Sequence, residues 1–233
     1  MPATRGPSKT ESFASSILRD LPEPHFRALM EWARTLTIAN NTFLFRRGDA
    51  GDGCYWLQSG LLKVSICSPE GEKRTLAILG PGSIVGELAV LDGLPRSADV
   101  QAIGSCSLMF VGRDDFAKYA GQHPAIFQHL CIGLSARLRQ ANDETAAASF
   151  LPVRKRLART LLRLADFLGQ PTDHKHLTIN HPVSQNDLAA MAALARESVN
   201  RTMRDWRKKG IVQQTGRAKT VLHVARLQRE LTA

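Results

Sequence analysis

The sequence predicts an α+β fold in which a β-rich body is followed by one long helix and then by a smaller helical region. Short apolar runs separated by glycine-containing turns extend from about Asn41 to Gly112, as a sandwich or barrel requires. A seven-residue apolar repeat follows Pro124, and helical segments alternate with turns after Pro152. With 233 residues, 43% of them hydrophobic, the chain is long enough to form two ordinary cores.

The net positive charge lies entirely in the last part of the chain. Residues 151–233 contain 16 Lys+Arg and 6 Asp+Glu, whereas residues 1–150 contain 15 of each. This asymmetry indicates a polyanion as the partner of the C-terminal region, and a solvated basic surface is the open alternative. A membrane partner is not expected, because no basic amphipathic segment lacks another assignment. No signal peptide or run of about 18 apolar residues is present, so a cytoplasmic protein is expected.

The cysteines and histidines do not predict a metal site. The four cysteines are widely spaced, without a CxxC pair, and are interpreted as buried small residues or free thiols: Cys54, Cys67, Cys106 and Cys131. Three histidines fall in a turn-rich stretch without helical spacing and are interpreted as solvated: His174, His176 and His181. No nucleophile and base are arranged as in an enzyme, so catalysis is not expected.

The N-terminal region is interpreted as a tail of about a dozen residues followed by two short amphipathic helices on either side of Pro22. Their apolar positions are Phe13, Ile17, Leu18, Phe26, Leu29, Met30 and Ala33. The β-body begins near Asn41, with strands predicted at TFLF, CYWLQ, LLKVSIC, RTLAIL, ADVQAI and CSLMFV. The predicted turns are RRGDAGDG, QSG, SPEGE, GPGS, DGLP and IGS. Four aromatic residues are assigned to its core, namely Phe43, Phe45, Trp56 and Phe110.

The stretch from Gly82 to Ala102 concentrates backbone donors and opposite charges. Gly86 has no Cβ to obstruct an approaching ligand, and the GELAVL run that it begins can form one helical turn with free N–H groups. Arg96 adds a fixed positive charge, while the Glu87 carboxylate can accept hydrogen bonds from hydroxyls. A sugar phosphate offers both groups. An exposed Glu–Arg pair, contributing under about 1 kcal/mol, is the simpler alternative.

The complete spacing resembles a known cassette. Gly-Glu-Leu, seven residues and then Arg-Ser-Ala is similar to the phosphate-binding cassette of cyclic-nucleotide-binding domains in the Crp/Fnr family of transcription regulators. The resemblance implies a jelly-roll-like double-stranded β-helix in which Glu87 bonds the ribose 2′-hydroxyl and Arg96 pairs with the cyclic phosphate. The amides near Gly86 and Leu88, with Ser97, complete the phosphate contacts.

The resemblance implies cyclic AMP as first choice of ligand and cyclic GMP as second. Regulators of the same architecture that respond to a cyclic dinucleotide, haem or an iron–sulfur cluster, or to no ligand, are the alternatives. The retained Glu87 and Arg96 argue against them. A β-domain that regulates an enzyme or channel would require a catalytic or membrane segment, and none is recognised.

The predicted long helix runs from Pro124 to about Ser149 and carries a heptad seam. Its positions are Phe127, Cys131, Leu134, Leu138, Ala141, Thr145 and Ala148. The pattern fits either packing on the β-body or pairing with another helix. The resemblance implies a parallel homodimer, with each nucleotide base against this helix. The best-known cyclic AMP receptors carry Thr-Ser where this chain has Ala141 and Asn142; the Asn amide suits adenine or guanine, or lies at the surface without ligand contact.

Pro152 marks a hinge, after which a helix extends to Gly169 and a loop with at most one short strand follows. Ser184 and Asp187 predict a capping box, residues 193–195 a turn, and Arg196 the start of a second helix. That helix buries Val199, Met203 and Trp206 and presents a polar stripe of Arg196, Glu197, Asn200, Arg201 and Arg204. The stripe suits base edges, and an ordinary solvated helix face is the alternative.

This segment resembles the helix-turn-helix of the same family, although Ala193 and Ala195 stand where a turn glycine and a capping residue are expected. The resemblance implies that Arg196, Glu197 and Arg201 read double-stranded DNA with palindromic TGTGA-like half-sites, and that RNA polymerase is a further partner. The predicted DNA-contacting set also contains Ser184, Asn200, Arg217 and Lys219, the last two on a wing that turns near Gly216. The predicted domains are residues 1–123 for nucleotide binding, 124–151 for dimerisation and 152–233, a winged helix-turn-helix, for DNA binding.

Overall fold

The structure is a computed structural model that describes residues 23–69, 71, 73–180, 183–215 and 219–232. The chain divides into two compact units, of which one extends to Leu151 and the other begins at Pro152. The predicted helix with Phe13, Ile17 and Leu18 lies outside the described residues.

The first unit is built on an antiparallel sheet, as the glycine-separated runs predict. Its strands are β1 (Arg34–Ile38), β2 (Phe43–Phe45), β3 (Gly53–Cys67), β4 (Lys73–Leu79), β5 (Ile84–Val85) and β6 (Asp99–Gly112). The sheet order is β1-β6-β3-β4, with β2 paired to β6 and β5 paired to β3. The sequence interpretation missed β1, because it placed the start of the β-body near Asn41. The alternating threonines of Arg34–Ile38 favour a strand there.

Two predicted turns are kinks within long strands. CYWLQ and LLKVSIC are both part of β3, and ADVQAI and CSLMFV are both part of β6 apart from Ala98. Gly60 and Gly104 lie inside these strands with φ of 90° and 79°, and the β3–β6 register shifts on both sides of Ser59. A glycine at positive φ allows a bulge without ending the strand, so QSG and IGS bend the sheet instead of reversing it.

Helices close one side of the β-body around a second apolar cluster. They are α1 (Glu23–Met30), α2 (Glu87–Asp92), α3 (Arg113–Gln122) and α4 (Ala125–Phe150); α3 was not predicted. The aromatic assignments differ among themselves, since Phe110 is buried, Phe45 and Trp56 are half-buried against the core, and Phe43 is half-buried beneath the Arg46 guanidinium. The core of the sheet contains Leu57, Leu62, Val100 and Leu108, and the helical cluster contains Val111, Phe116, Ile126 and Leu130.

In the residues that the structure describes from Pro152 onward, the second unit combines four helices with a small antiparallel sheet. Its elements are α5 (Val153–Leu168), β7 (Gly169–Pro171), β8 (His176–Ile179), α6 (Gln185–Ala192), α7 (Arg196–Lys208), β9 (Val212–Thr215), β10 (Lys219–His223) and α8 (Val224–Thr232). The sheet order is β7-β8-β10-β9. The stretch from Gly169 onward therefore forms two strands instead of at most one, because β8 pairs with β7 on one side and with β10 on the other. The closing helix α8 was not predicted; its Leu227 is buried.

An arginine ion-pair cluster connects three helices of this unit. Arg154 on α5 lies 2.7 Å from Asp205 on α7 and 2.8 Å from Glu230 on α8. Hydrogen bonds from Arg154 hold the pKa of both carboxyls below their usual range. Their charged forms are favoured, which stabilises the packing of α7 on α5.

The remaining sequence expectations concern thiols, metals and membranes. Cys54 and Cys106 are buried and Cys67 and Cys131 exposed, and all four are free thiols. In the part of the chain that the structure describes, no cluster of three or more His, Cys, Asp or Glu could hold a metal ion. Among those same residues, no helix is long and apolar enough to cross a membrane.

Candidate ligand and nucleic-acid sites

The cassette begins with a glycine that the local backbone requires. Gly86 has φ 85° and ψ 8° and lies immediately before α2, so its left-handed conformation turns the chain from β5 into the helix. A Cβ at this position would lie 2.3 Å from Nη1 of Arg96. Backbone geometry and the close approach of the guanidinium therefore both favour glycine.

Arg96 is buried beneath the cassette, with 1% of its side chain exposed. Its Nη1 donates to the carbonyl oxygen of Gly86 at 2.9 Å, and its Nη2 donates to Oδ1 of Asp52 at 2.6 Å. The guanidinium carbon lies 4.3 Å from the centre of the Phe45 ring. Among the residues that the structure describes, its Nε has no hydrogen-bond partner. A buried cation with a donor to spare is suited to a second anion.

Glu87, the first residue of α2, is also buried, with 7% of its side chain exposed. Its Oε1 accepts a short hydrogen bond from Nη1 of Arg137, which lies on α4. Glu87 and Arg96 are thus each paired with a charged residue that lies outside the cassette sequence. Asp52 pairs with Arg96, and Arg137 pairs with Glu87.

The sequence interpretation missed both partners. Asp52 belongs to the RRGDAGDG stretch, which was interpreted only as a turn, and its side chain is 63% exposed. Arg137 lies on the long helix outside the seam positions. A charged residue in a turn or on a helix is ordinary in a single sequence, so only the three-dimensional contact identifies either one.

A thiol and a phenol lie beside the cassette. Burial, followed by the negative charge of Glu87, raises the pKa of Cys54 to about 12. Burial and then the charge of Asp52 also raise the pKa of Tyr55, whose ring centre is 5.6 Å from the Arg96 guanidinium carbon. Both groups are neutral near pH 7, so Cys54 is a packing residue and not an activated nucleophile.

The other predicted ligand residues lie at different depths. Leu88 is half-buried and packs on the helical cluster, while Ser97 is exposed in the bend that follows Arg96. Ala141 and Asn142 are exposed on α4, where the carbonyl oxygen of Ala141 accepts from Thr145 Oγ1 at 2.9 Å.

Most of the predicted seam of α4 is exposed. Phe127 and Leu138 are 48% and 65% exposed, whereas the neighbouring Ile126 and Leu130 are buried. Cys131, Ala141 and Thr145 are exposed as well, and Leu134 and Ala148 are half-buried. Leu134 packs on the same cluster as Ile126 and Leu130. The helix therefore packs on its own β-body through a face that includes one seam residue, and most of the other seam positions lie in solvent.

The second unit contains the predicted pair of helices. The Asp187 N–H donates to Ser184 Oγ at 3.1 Å and the Ser184 N–H donates to Asp187 Oδ2 at 3.2 Å, which confirms the capping box at the start of α6. Ala193 ends α6 in the left-handed region, with φ 50° and ψ 48°. Ala195 precedes α7 without a side-chain cap.

The polar stripe of α7 is exposed, as predicted, except at Asn200. Val199, Met203 and Trp206 are buried, and Arg196, Glu197, Arg201 and Arg204 are exposed. Asn200 is half-buried, and its Oδ1 has no hydrogen-bond partner in the described part of the chain. Lys219 is exposed at the start of β10, paired with Thr215 of β9, so the predicted hairpin forms. Arg217 and the turn at Gly216 lie outside the described residues.

These features define a class of protein: a regulator with a ligand-binding β-domain and a DNA-binding helix-turn-helix. The cyclic nucleotide-binding domain family matches residues 35–123, and the Crp-like helix-turn-helix domain family matches residues 155–230. The chain belongs to the Crp/Fnr family of transcription regulators.

Individual relatives match this chain over most of its length. A CRP-like cAMP-activated global transcriptional regulator from Mycobacterium tuberculosis is 30% identical over 215 residues, which are 92% of this chain and 96% of the relative. A cyclic AMP receptor protein from Thermus thermophilus is 33% identical over 171 residues, 73% and 75% of the two chains. The solved structure of FixK2 from Bradyrhizobium japonicum has a TM-score of 0.76 at 21% identity, covering 86% of this chain and 98% of FixK2.

Proposed function

We propose that this chain is a homodimeric transcription regulator that binds DNA in response to cyclic AMP, with cyclic GMP as the second candidate ligand. The observation that carries the proposal is Arg96, a buried guanidinium with an unpartnered Nε in the described part of the chain, held beneath a glycine-initiated helical turn. Two relatives are named as cyclic AMP-activated or cyclic AMP-receptor proteins, which supports the choice of nucleotide.

The residues of the cassette fit a nucleoside cyclic phosphate. Arg96 would pair with the phosphate, the free amides near Gly86 and Leu88 would donate to its oxygens, and Ser97 would add a hydroxyl donor. Glu87 would accept a hydrogen bond from the ribose 2′-hydroxyl. Because Glu87 and Arg96 are already buried, binding desolvates little additional protein charge.

The exposed heptad face of α4 supports the homodimer. Phe127 and Leu138 leave an apolar stripe in solvent, and a second copy of α4 packed in parallel would cover it. Asn142 would then lie beside the base, as a partner for adenine or guanine. In this scheme residues 1–123 bind nucleotide, residues 124–151 form the dimer helix and hinge, and residues 152–233 bind DNA.

The contact between Glu87 and Arg137 supports a route from ligand to dimer helix. Arg137 lies on α4, so a ligand hydroxyl that competes for Glu87 changes an interaction made by that helix. Ligand binding would shift the population towards the dimer arrangement in which both recognition helices fit DNA.

The DNA-binding part of the proposal rests on α7. Arg196 and Arg201 would read guanines, Glu197 a cytosine, and Asn200 one further base in each TGTGA-like half-site of a palindrome. Ser184, Arg217 and Lys219 would contact phosphates. Contact with RNA polymerase and a cytoplasmic location complete the proposal, since a bacterial-type regulator acts where DNA is transcribed.

Two experiments test the proposal separately. Calorimetric titration with cyclic AMP, cyclic GMP and a cyclic dinucleotide tests the ligand; binding of the dinucleotide alone, or of none, would overturn that half. Selection from random duplexes with and without the preferred nucleotide tests the DNA site. Recovery of non-palindromic sites, or of half-sites without G/C pairs, would overturn the other half.

A further inference from the structure

We propose that Arg156 is a positioning residue for the recognition helix: its guanidinium holds the strained turn between α6 and α7 by binding the carbonyl groups of Ala192 and Ala193 at the end of α6. The inference deepens the proposed function, because it assumes that α7 is the helix that reads DNA.

The turn is strained at one residue. Ala193 has φ 50°, and the left-handed region disfavours every residue with a Cβ. The turn nevertheless forms a closed hydrogen-bonded structure, in which the N–H groups of Ala193 and Leu194 both donate to the carbonyl oxygen of Ala189, the latter at 2.9 Å. These bonds favour the left-handed conformation and fix the direction in which the chain enters α7.

Arg156 contributes to this turn from a different helix. Its Nε donates to the carbonyl oxygen of Ala192 at 3.0 Å, and its Nη2 makes a short hydrogen bond to the carbonyl oxygen of Ala193. Carbonyl groups at a helix C-terminus carry partial negative charge, so a guanidinium is favoured there. Its rigid planar fork also presents two N–H donors to two successive oxygens in a fixed geometry, whereas the donors of an ammonium group rotate freely.

The geometry carries a consequence for α7. Ala195 lies two residues after the strained Ala193 and offers no side-chain cap. The first turn of α7 is therefore not stabilised by a hydrogen bond from an N-cap side chain. Arg156 is anchored in α5, whose Leu157 and Leu161 are core residues. Substitution of Arg156 should therefore make the turn more mobile. Arg196 and Glu197, the first residues of α7, should then move relative to the rest of the second unit.

A double-mutant cycle with Ala193 tests this role. Arg156→Met should reduce affinity for the selected operator about tenfold, because binding must then order a turn that two charge-assisted hydrogen bonds hold in the parent protein. Ala193→Gly removes the Cβ that makes the left-handed turn unfavourable. In the Ala193→Gly background, the same Arg156→Met change should reduce affinity less than threefold. Equal losses in the two backgrounds would overturn the proposal.

A salt titration separates positioning from direct DNA contact. A positioning residue leaves the slope of log affinity against log salt unchanged, whereas a phosphate contact reduces it by about one unit. A reduced slope for Arg156→Met would show a phosphate contact and overturn the proposal. If Arg156→Met does not fold by circular dichroism, Arg156→Lys replaces it in the same cycle, with a smaller expected loss.

Hydrogen exchange gives a readout that does not depend on DNA. The Leu194 amide should exchange faster in Arg156→Met and return towards the parent rate when Ala193→Gly is added. Unchanged exchange in Arg156→Met overturns the positioning role even if the operator is found. Faster exchange in a protein that selects no operator supports the turn contact and refutes the proposed DNA site instead.

Discussion

The cassette and the recognition helix both rely on charged residues, but they hold them in opposite ways. Arg96 and Glu87 are buried and each is paired with another side chain, whereas Arg196, Glu197 and Arg201 are exposed on α7. A small anion that enters a pocket meets charges already removed from water and oriented. A DNA duplex is a large polyanion that attracts exposed cationic side chains. Such side chains can therefore remain solvated in the free protein and become ordered when DNA binds.

This difference predicts which property of the protein a substitution changes. A change in the cassette alters both ligand affinity and the interactions of the folded β-domain, because the charges are part of its interior. A change on the exposed polar stripe of α7 should alter DNA binding and leave stability almost unchanged, as is usual for exposed positions. Substitutions at four positions test this difference, and the expected effects decrease from Arg96 to Arg201, Asp52 and Asn142.

Arg96→Ala should reduce nucleotide affinity about a hundredfold or more, because it removes the cation that the phosphate would meet through charge-assisted hydrogen bonds. Glu87→Ala should reduce nucleotide affinity much less, because the ribose 2′-hydroxyl that Glu87 would bind is neutral. Calorimetry measures both variants, and circular dichroism should show that each still folds.

Arg46→Ala is the matched control for Arg96. Its guanidinium also stacks on an aromatic ring, 3.7 Å from the centre of Phe43, but it is exposed and outside the cassette. It should change nucleotide affinity less than threefold. Comparable small losses from Arg96→Ala, Glu87→Ala and the control would contradict the cassette assignment.

Arg201→Ala should cost about 1 to 3 kcal/mol of operator binding and relax selectivity at one base pair, because a bidentate contact to guanine is lost. Binding to duplexes with each base at every half-site position measures this effect. Nucleotide affinity and thermal unfolding should be unchanged.

Lys219→Ala is the comparison for Arg201. It should weaken binding to all duplexes alike and reduce the salt slope by about one unit, because a phosphate contact carries no sequence information. If Arg201→Ala also weakened all sequences equally, Arg201 would be a phosphate contact and the proposed code would be wrong at that position.

Asp52→Asn should raise nucleotide affinity about fivefold while lowering the thermal stability of the ligand-free protein. The buried Arg96 guanidinium loses a carboxylate partner, so the free protein is less stable and an anionic ligand gains more by replacing it. The effect is modest, since Asp52 is 63% exposed and such pairs contribute about 1 kcal/mol.

Asp92→Asn controls for a general change of local charge. Asp92 is an exposed carboxylate at the end of α2, where it accepts from the Leu94 N–H at 2.9 Å. The Asp92→Asn substitution removes one negative charge, as Asp52→Asn does, but Asp92 does not pair with Arg96. An equal rise in affinity in the two variants would mean that Asp52 acts only through long-range charge.

Asn142→Ala should change the ratio of cyclic AMP to cyclic GMP affinity about threefold, because the amide can donate and accept towards either base. Competition binding with the two nucleotides measures the ratio. Gln140→Ala, on the same helix and bonded to Glu144 at 3.3 Å, should leave it unchanged. An unchanged ratio in Asn142→Ala would place base selection elsewhere in the pocket.

Local patterns in the sequence were sufficient to predict several elements. Glycine punctuation predicted the β-body, Pro152 marked the boundary between α4 and α5, and the Ser184–Asp187 spacing predicted the capping box. Each of these signals depends on residues that are close in sequence.

Long-range contacts account for what the sequence did not predict. Asp52 is 44 residues from Arg96 and Arg137 is 50 residues from Glu87, so no local rule associates them. The QSG and IGS stretches contain the same residue types as real turns, and only pairing with the neighbouring strand keeps β3 and β6 continuous. Strand β1 was missed for the same reason, because its partner β6 lies far along the chain.

The connection between the two units is two residues long. Between α4 and α5 lie Leu151 and Pro152, with ψ of 138° and 157°. Both residues are therefore extended, and two extended residues span at most about 7 Å. A connection of this length has no slack. Inserting a few glycines after Leu151 would lengthen the connection without changing a single side chain in either unit.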